Sequence, residues 1–256
     1  DYDYGFAITT DINGNIYSTG FFSGTADFDP GLGTTNLTSA GDDDVYIQKL
    51  DANGNLLWAK QMGGTTDDAG FAIATDADGN VFTTGYFQAT ADFDPGTGTT
   101  NLTSVGYADI FIQKLDNSGN LVWVKQMGGT GYDRGLSIAT DSNGNIYTTG
   151  FFRGTVDFDP GTGTANFTSA GNTDIFIQKL DASGNLLWVK QIGGTTSDNG
   201  NSITIDANGN VFITGSFSGT VDFDPGAGTS NLTSPGINDI FVQKLDATGN
   251  FLWAKQ

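Results

Sequence analysis

Carboxylates are the only side chains that this sequence repeats in patterns fit for chemistry. All 29 acidic residues are Asp, and there is no Glu, His or Cys. The stretch Asp27-Phe28-Asp29-Pro30-Gly31 returns with its carboxylates at Asp92 and Asp94, Asp157 and Asp159, and Asp222 and Asp224. Two Asp separated by one residue of an extended run point the same way, so each pair is a candidate Ca²⁺ site completed by backbone carbonyls. The competing expectation is that each pair binds local backbone N–H groups and shapes the Pro-Gly turn. Two further sets recur: Asp3, Asp68, Asp133 and Asp198, and then Asp44, Asp109, Asp174 and Asp239. These eight are candidate ligand-binding residues, and together the sixteen would make a dense negative rim in which close carboxylates raise one another's pKa.

Other chemistry is poorly supplied. Without His or Cys there is no ordinary base or thiol nucleophile, and no Ser sits beside a plausible base. Paired Asp could act as in glycoside hydrolysis, but an active site breaks symmetry and every pair here exists four times. A non-enzymatic protein is expected. The net charge of −19 with ten Lys and Arg argues against nucleic acid. It argues equally against anionic membranes, and no apolar run of about 18 residues is present. The absence of Cys removes disulfides and thiolate metal sites.

The elements that would position these residues also repeat. Trp58, Trp123, Trp188 and Trp253 recur every 65 residues, and Gln48-Lys49-Leu50-Asp51 returns at Gln113, Gln178 and Gln243. In the second copy, 71–75 reads as a strand A, 81–87 as B, 110–115 as C and 121–126 as D. The turns after A and C are Asp-x-x-Gly, with Asp capping and Gly left-handed. Asp76, Asp116 and their counterparts are therefore turn caps. The B–C connection predicts a small extra hairpin projecting around a type II Pro-Gly turn.

Strand C is apolar on both faces, at Ile110 and Ile112 and at Phe111 and Leu115. Strand D reads the same way, with Leu121 and Trp123 opposite Val122 and Val124. Such a sheet, repeated in tandem, has to stack face to face with its siblings. The expectation is an all-β, four-bladed β-propeller forming one domain over 1–256, with blades 1–61, 62–126, 127–191 and 192–256. Phe87, Phe111 and Trp123 would be its wedges. An open stack, part of a larger propeller, or two chains making eight blades are the alternatives.

The run of "NVFTTGYF", "DIFIQKLD", Gly-Asn turn and "LVWVKQMGG" resembles the bacterial β-propeller repeats of secreted and surface proteins. The variant with "DFDPG" and "NLTS" is similar to tandem repeats of large exported proteins of gliding and marine Bacteroidetes-type bacteria. That resemblance covers all four copies and implies surface binding or scaffolding. The expected function is thus a binding or scaffolding module of an exported protein at the cell surface or outside the cell. A protein or glycan would meet the acidic rim made by the D–A and B–C loops. A structural spacer or filament subunit, and a glycan-binding module using Phe28 or Tyr86, are the alternatives, and oligomers are possible.

Overall fold

Eight turns of the form Asp-x-x-Gly-Asn organise the chain. Their glycines all adopt positive φ, from +77° at Gly144 to +83° at Gly54, where a Cβ is disfavoured. In the first, the Gly14 N–H donates to the Asp11 carbonyl at 3.0 Å. Asp11 Oδ1 accepts the N–H groups of Asn13 and Asn15 at 2.9 Å each, and the Asn15 side chain donates to Oδ2 at 2.8 Å. The turn is closed from within, and the cap assignment holds.

The computed structural model describes residues 2–256, and these contain strands and turns and no helix. The expectation of one domain over 1–256 meets a chain that divides into two compact units, Asp1–Gln126 and Met127–Gln256. The division falls at the boundary between the second and third repeats. The strands make five sheets, so the coarse fold is all-β with multiple antiparallel sheets.

In the first unit, β1 (Tyr4–Thr10), β2 (Ile16–Asp27), β3 (Asn36–Leu50) and β4 (Leu56–Gly64) pair in chain order. The second repeat contributes β5 (Ala69–Thr75), β6 (Val81–Phe87), β9 (Asp109–Leu115) and β10 (Leu121–Gly129), again as a meander. Between β6 and β9 lies the small hairpin of β7 (Thr90–Asp92) and β8 (Asn101–Thr103). The hairpin does not simply project: Asp92 and Ala91 pair with Gly63 and Gly64 at the end of β4. Strand β4 is therefore longer than its apolar run, because its Gly-Gly tail serves the next repeat. In repeat one the hairpin is continuous with β2 and β3.

The second unit repeats this plan. It has β11 (Arg134–Thr140), β12 (Ile146–Phe152), β13 (Thr155–Asp157), β14 (Asn166–Thr168), β15 (Asp174–Leu180) and β16 (Leu186–Ile192). Then come β17 (Asn199–Ile205), β18 (Val211–Phe217), β19 (Thr220–Asp222), β20 (Asn231–Thr233), β21 (Asp239–Leu245) and β22 (Phe251–Lys255). Its two four-stranded meanders are β11-β12-β15-β16 and β17-β18-β21-β22. The bridge between Gly193 and Asp222 joins the third repeat to the fourth repeat's hairpin.

Each unit has an apolar core between two repeats. In the first, Tyr17, Val45, Ile47 and Met62 pack with Ile73, Phe87, Phe93 and Phe111. In the second, Tyr147, Ile175, Ile177 and Ile192 pack with Ile203, Phe217, Phe223 and Phe241. Three expectations are corrected. Strand D is not sheltered on both faces, since Leu57, Val122, Leu187 and Leu252 are exposed. It is the outermost strand of its meander, so its outer residues meet water. Trp123 is half-buried while Phe87 and Phe111 are fully buried. The Pro-Gly turn is not type II, because Gly31, Gly96, Gly161 and Gly226 are not among the residues at positive φ. Their N–H groups go instead to the preceding carboxylate.

Candidate functional site

Antiparallel meandering puts the D–A and B–C connections at one end of every sheet, which gathers the three Asp sets there. Within each hairpin loop the first carboxylate accepts two N–H groups. Asp92 Oδ1 takes Asp94 N at 3.0 Å and Thr100 N at 2.8 Å. Asp27, Asp157 and Asp222 do the same with Asp29 and Thr35, Asp159 and Ala165, and Asp224 and Ser230. Backbone donors from Thr35 and Asp29 hold the Asp27 carboxyl below its usual range. The second carboxylate caps its turn: Asp29, Asp94, Asp159 and Asp224 accept Gly31, Gly96, Gly161 and Gly226 N at 2.8 Å each.

This geometry fits Ca²⁺ poorly. The aligned Oδ1 atoms already accept backbone N–H groups, and among the described residues no group of three carboxylates is placed to hold an ion. Each pair is engaged in shaping its own loop.

The other two sets are mostly inside the protein. Asp68, Asp133 and Asp198, and Asp44, Asp109 and Asp174, are all fully buried, whereas Asp3 is exposed and Asp239 half-buried. Their task is structural stapling. Asp68 accepts Gly64 N at 2.8 Å and Gln88 N at 2.9 Å, tying the D–A connection to the end of strand B. Asp133 takes Gly129 and Arg153 N, and Asp198 takes Gly194 and Ser218 N. Asp3 accepts Ser23 N at 3.2 Å.

Asp44 accepts Ala40 N at 3.0 Å and the Gln61 amide at 2.6 Å, and Asp109 and Asp174 repeat this with Gln126 and Gln191. Asp239 meets Gln256 at 3.3 Å. One oxygen each of Asp44, Asp109 and Asp174 is buried with no partner. Burial pushes Asp44 and Asp109 up. Burial, with a smaller push from neighbouring Asp44 and Asp67, takes Asp68 up to about 7 against its two N–H donors. The expected rim of sixteen open carboxylates is thus reduced by six. The sequence carried a signal for this: Gly63 and Gly193 lie so close to Asp44 and Asp174 that a Cβ would meet each carboxylate carbon within 2.5 Å.

A feature that the repeat pattern concealed lies at the same end of the first unit. Tyr4, Phe6, Phe21, Phe71 and Tyr86 form a chain of ring contacts. Centroids are 5.2 Å apart for Tyr4 and Phe21, 5.0 Å for Phe6 and Phe71, and 5.5 Å for Phe71 and Tyr86. Tyr4 and Phe6 are exposed and the others half-buried. At the places of Phe6 and Phe21, repeat four has Asn201 and Ser216. That contrast is the signal that marks the patch. Phe28, which the glycan-binding alternative needs exposed, is half-buried against Phe22 and Tyr46, and Phe93, Phe158 and Phe223 are fully buried.

The opposite end offers a groove of about 480 Å³ in the second unit, walled by Asp141, Asn143, Tyr147, Lys179, Asp206 and Asn208. Its charges are mutually engaged, with Lys179 Nζ 4.0 Å from Asp141 and 4.8 Å from the Tyr147 ring centre. Lys114 likewise lies 3.8 Å from Asp76.

The β-propeller repeat family matches residues 122–150 and 187–216. Both segments run from strand D of one repeat into strand B of the next, across the Gly-Gly tail and its stapling Asp. The chain is 28% identical over 98% of its length to an uncharacterised WD repeat-containing protein of Acanthamoeba polyphaga mimivirus. It is 27% identical over 81% of its length to the regulatory protein FlaEY of Caulobacter vibrioides. It spans about a fifth of the length of these curated relatives, 22% and 21%. Among solved structures, a protein of unknown function from Bacteroides caccae gives a TM-score of 0.39 at 11% identity, covering 98% of this chain and 81% of that one. The Pan2 WD40 domain of Neurospora crassa gives 0.32 at 10% identity, covering 92% and 81%.

Proposed function

We propose that each 65-residue repeat is one blade of a β-propeller and that the four blades serve as a non-enzymatic protein-binding module of an exported protein. The observation that carries this reading is the aromatic patch of Tyr4, Phe6, Phe21, Phe71 and Tyr86. It sits on the loop-bearing end beside exposed Asp3, and apolar rings left open to water mark interaction surfaces. Aromatic anchors beside polar loops are also what dominates affinity in protein interfaces. The β-propeller repeat matches and the WD repeat-containing relative favour interaction over catalysis, because such blades present loops on a rigid scaffold.

The test replaces Tyr4 and Phe6 by Asn, the residue found at Asn199 and Asn201 in repeat four. The wild-type and Tyr4→Asn/Phe6→Asn chains are immobilised and challenged with surface-protein extracts and a glycan array. Loss of bound protein by the variant, at an unchanged unfolding midpoint, is expected. Equal retention by both chains would sink the patch as the contact surface, and retention of glycans alone would assign the patch to sugars.

A further inference from the structure

Two sheet faces carry apolar side chains into water at positions the repeat elsewhere buries. Ile240 is 73% exposed and Val242 40% exposed, while their counterparts Val45, Ile47, Ile175 and Ile177 are fully buried. In repeat one, Ile8 is 72% exposed, against 6% for Ile73 and 5% for Ile203. Ile16, Tyr46 and Leu50 are only half-buried there, although Val81, Phe111 and Leu115 are fully buried in repeat two.

The covered repeats show what such a face packs against. In the first unit Val45 and Ile47 lie in one cluster with Ile73, Val81, Phe111 and Leu115. In the second unit Ile175 and Ile177 lie with Ile203, Val211, Phe241 and Leu245. The partner face thus carries an aliphatic residue on strand A, another at the start of B, and an aromatic and a Leu on C. Ile8, Ile16, Tyr46 and Leu50 present that set. The open faces of repeats four and one are therefore the two halves of an interface the molecule already uses twice.

We propose that the Ile240 face docks the Ile8 face of a second copy of this chain. The contact is heterologous, since different surfaces meet, and two chains joined at both seams close upon themselves. Burial of the exposed aliphatic area supplies the attraction. Charge opposes it, because each chain carries −19, so association strengthens as salt screens the repulsion.

The experiment is sedimentation velocity on the whole chain at tens of micromolar, with Ile8→Asp, Ile240→Asp and their equimolar mixture. The wild-type chain is expected to sediment as a dimer and each variant to lose that seam-closed dimer. The mixture regains a complex of two chains, because one Ile240 face and one Ile8 face remain intact. Both substituted residues are exposed, and circular dichroism checks that each variant is folded. Should Ile240→Asp unfold, Val242→Lys replaces it on the fourth-repeat face; should Ile8→Asp unfold, Ile8→Ser replaces it on the first-repeat face. A wild-type chain that stays monomeric at both low and high salt overturns the proposal, as does a dimer indifferent to both substitutions. Failure here leaves the aromatic patch untouched, since its residues are not altered.

Discussion

Gln113 donates its side-chain amide to the backbone carbonyl of Phe93 at 2.7 Å, across twenty residues of sequence. The same bond joins Gln48 to Phe28, Gln178 to Phe158 and Gln243 to Phe223. It anchors each hairpin loop to the middle of strand C, and in repeat two both residues are fully buried. Gln113→Met keeps the volume and removes the donor. The orphaned carbonyl costs about 1–3 kcal/mol, read as a lower urea midpoint at unchanged slope. An unchanged midpoint would mean that water takes over the bond.

Two glycines separate lack of space from backbone conformation. A Cβ on Gly85 would lie 1.8 Å from the Ala69 carbonyl oxygen, while one on Gly54 meets nothing within 4 Å but sits at φ +83°. Gly54→Ala therefore costs about 1–2 kcal/mol, and Gly85→Ala costs more, since strand A must move. Thermal unfolding of the two variants ranks them, and the reverse order would refute the close approach of β5 to β6.

The proton on Asp68 sets a pH dependence. Folded Asp68 titrates at about 7, against a usual 3.8. Between these values the folded state holds a proton the unfolded chain has lost, so this group's contribution is present below pH 3.8 and lost as pH rises through 7. Asp246 acts oppositely: donors led by Asn250 N take it down to about 2, so its contribution is lost on acidification. Asp68→Asn is expected to flatten the fall in stability from about pH 4 to 7. Parallel curves for variant and parent would remove the assignment.

Calcium is expected to leave the unfolding midpoint where EDTA leaves it. An ion that binds only the folded chain has to raise stability, and the Asp92 and Asp94 carboxylates already accept N–H groups. A midpoint that climbs with Ca²⁺ would show that these loops reopen to take it.

Much of the architecture was legible because turns and strands are local. Strand B of repeat two runs Val81–Phe87, as its apolar pattern predicts, and all eight Asp-x-x-Gly turns form. Environment was less legible. Ile175 and Ile240 occupy nearly the same words, Asp-Ile-Phe-Ile and Asp-Ile-Phe-Val, yet one is buried and the other exposed. Local sequence cannot tell them apart, because the difference lies in what stacks on them. The buried Asp44 and Asp68 were expected in water for the general reason that burying a charge is costly. Part of that cost is offset by backbone N–H groups and the Gln61 amide, from residues up to twenty positions away, which no local pattern announces.

The rungs from Gly63 to Asp92 and from Gly64 to Ala91 mean that a repeat's hairpin edge is finished by the tail of the preceding strand D. A segment cut after Gly64, where β4 ends, would leave repeat two with a hairpin stripped of its outer backbone partners. The portable unit of this chain is therefore offset from the visible sheet: it begins at the glycine tail of one meander and ends before the next.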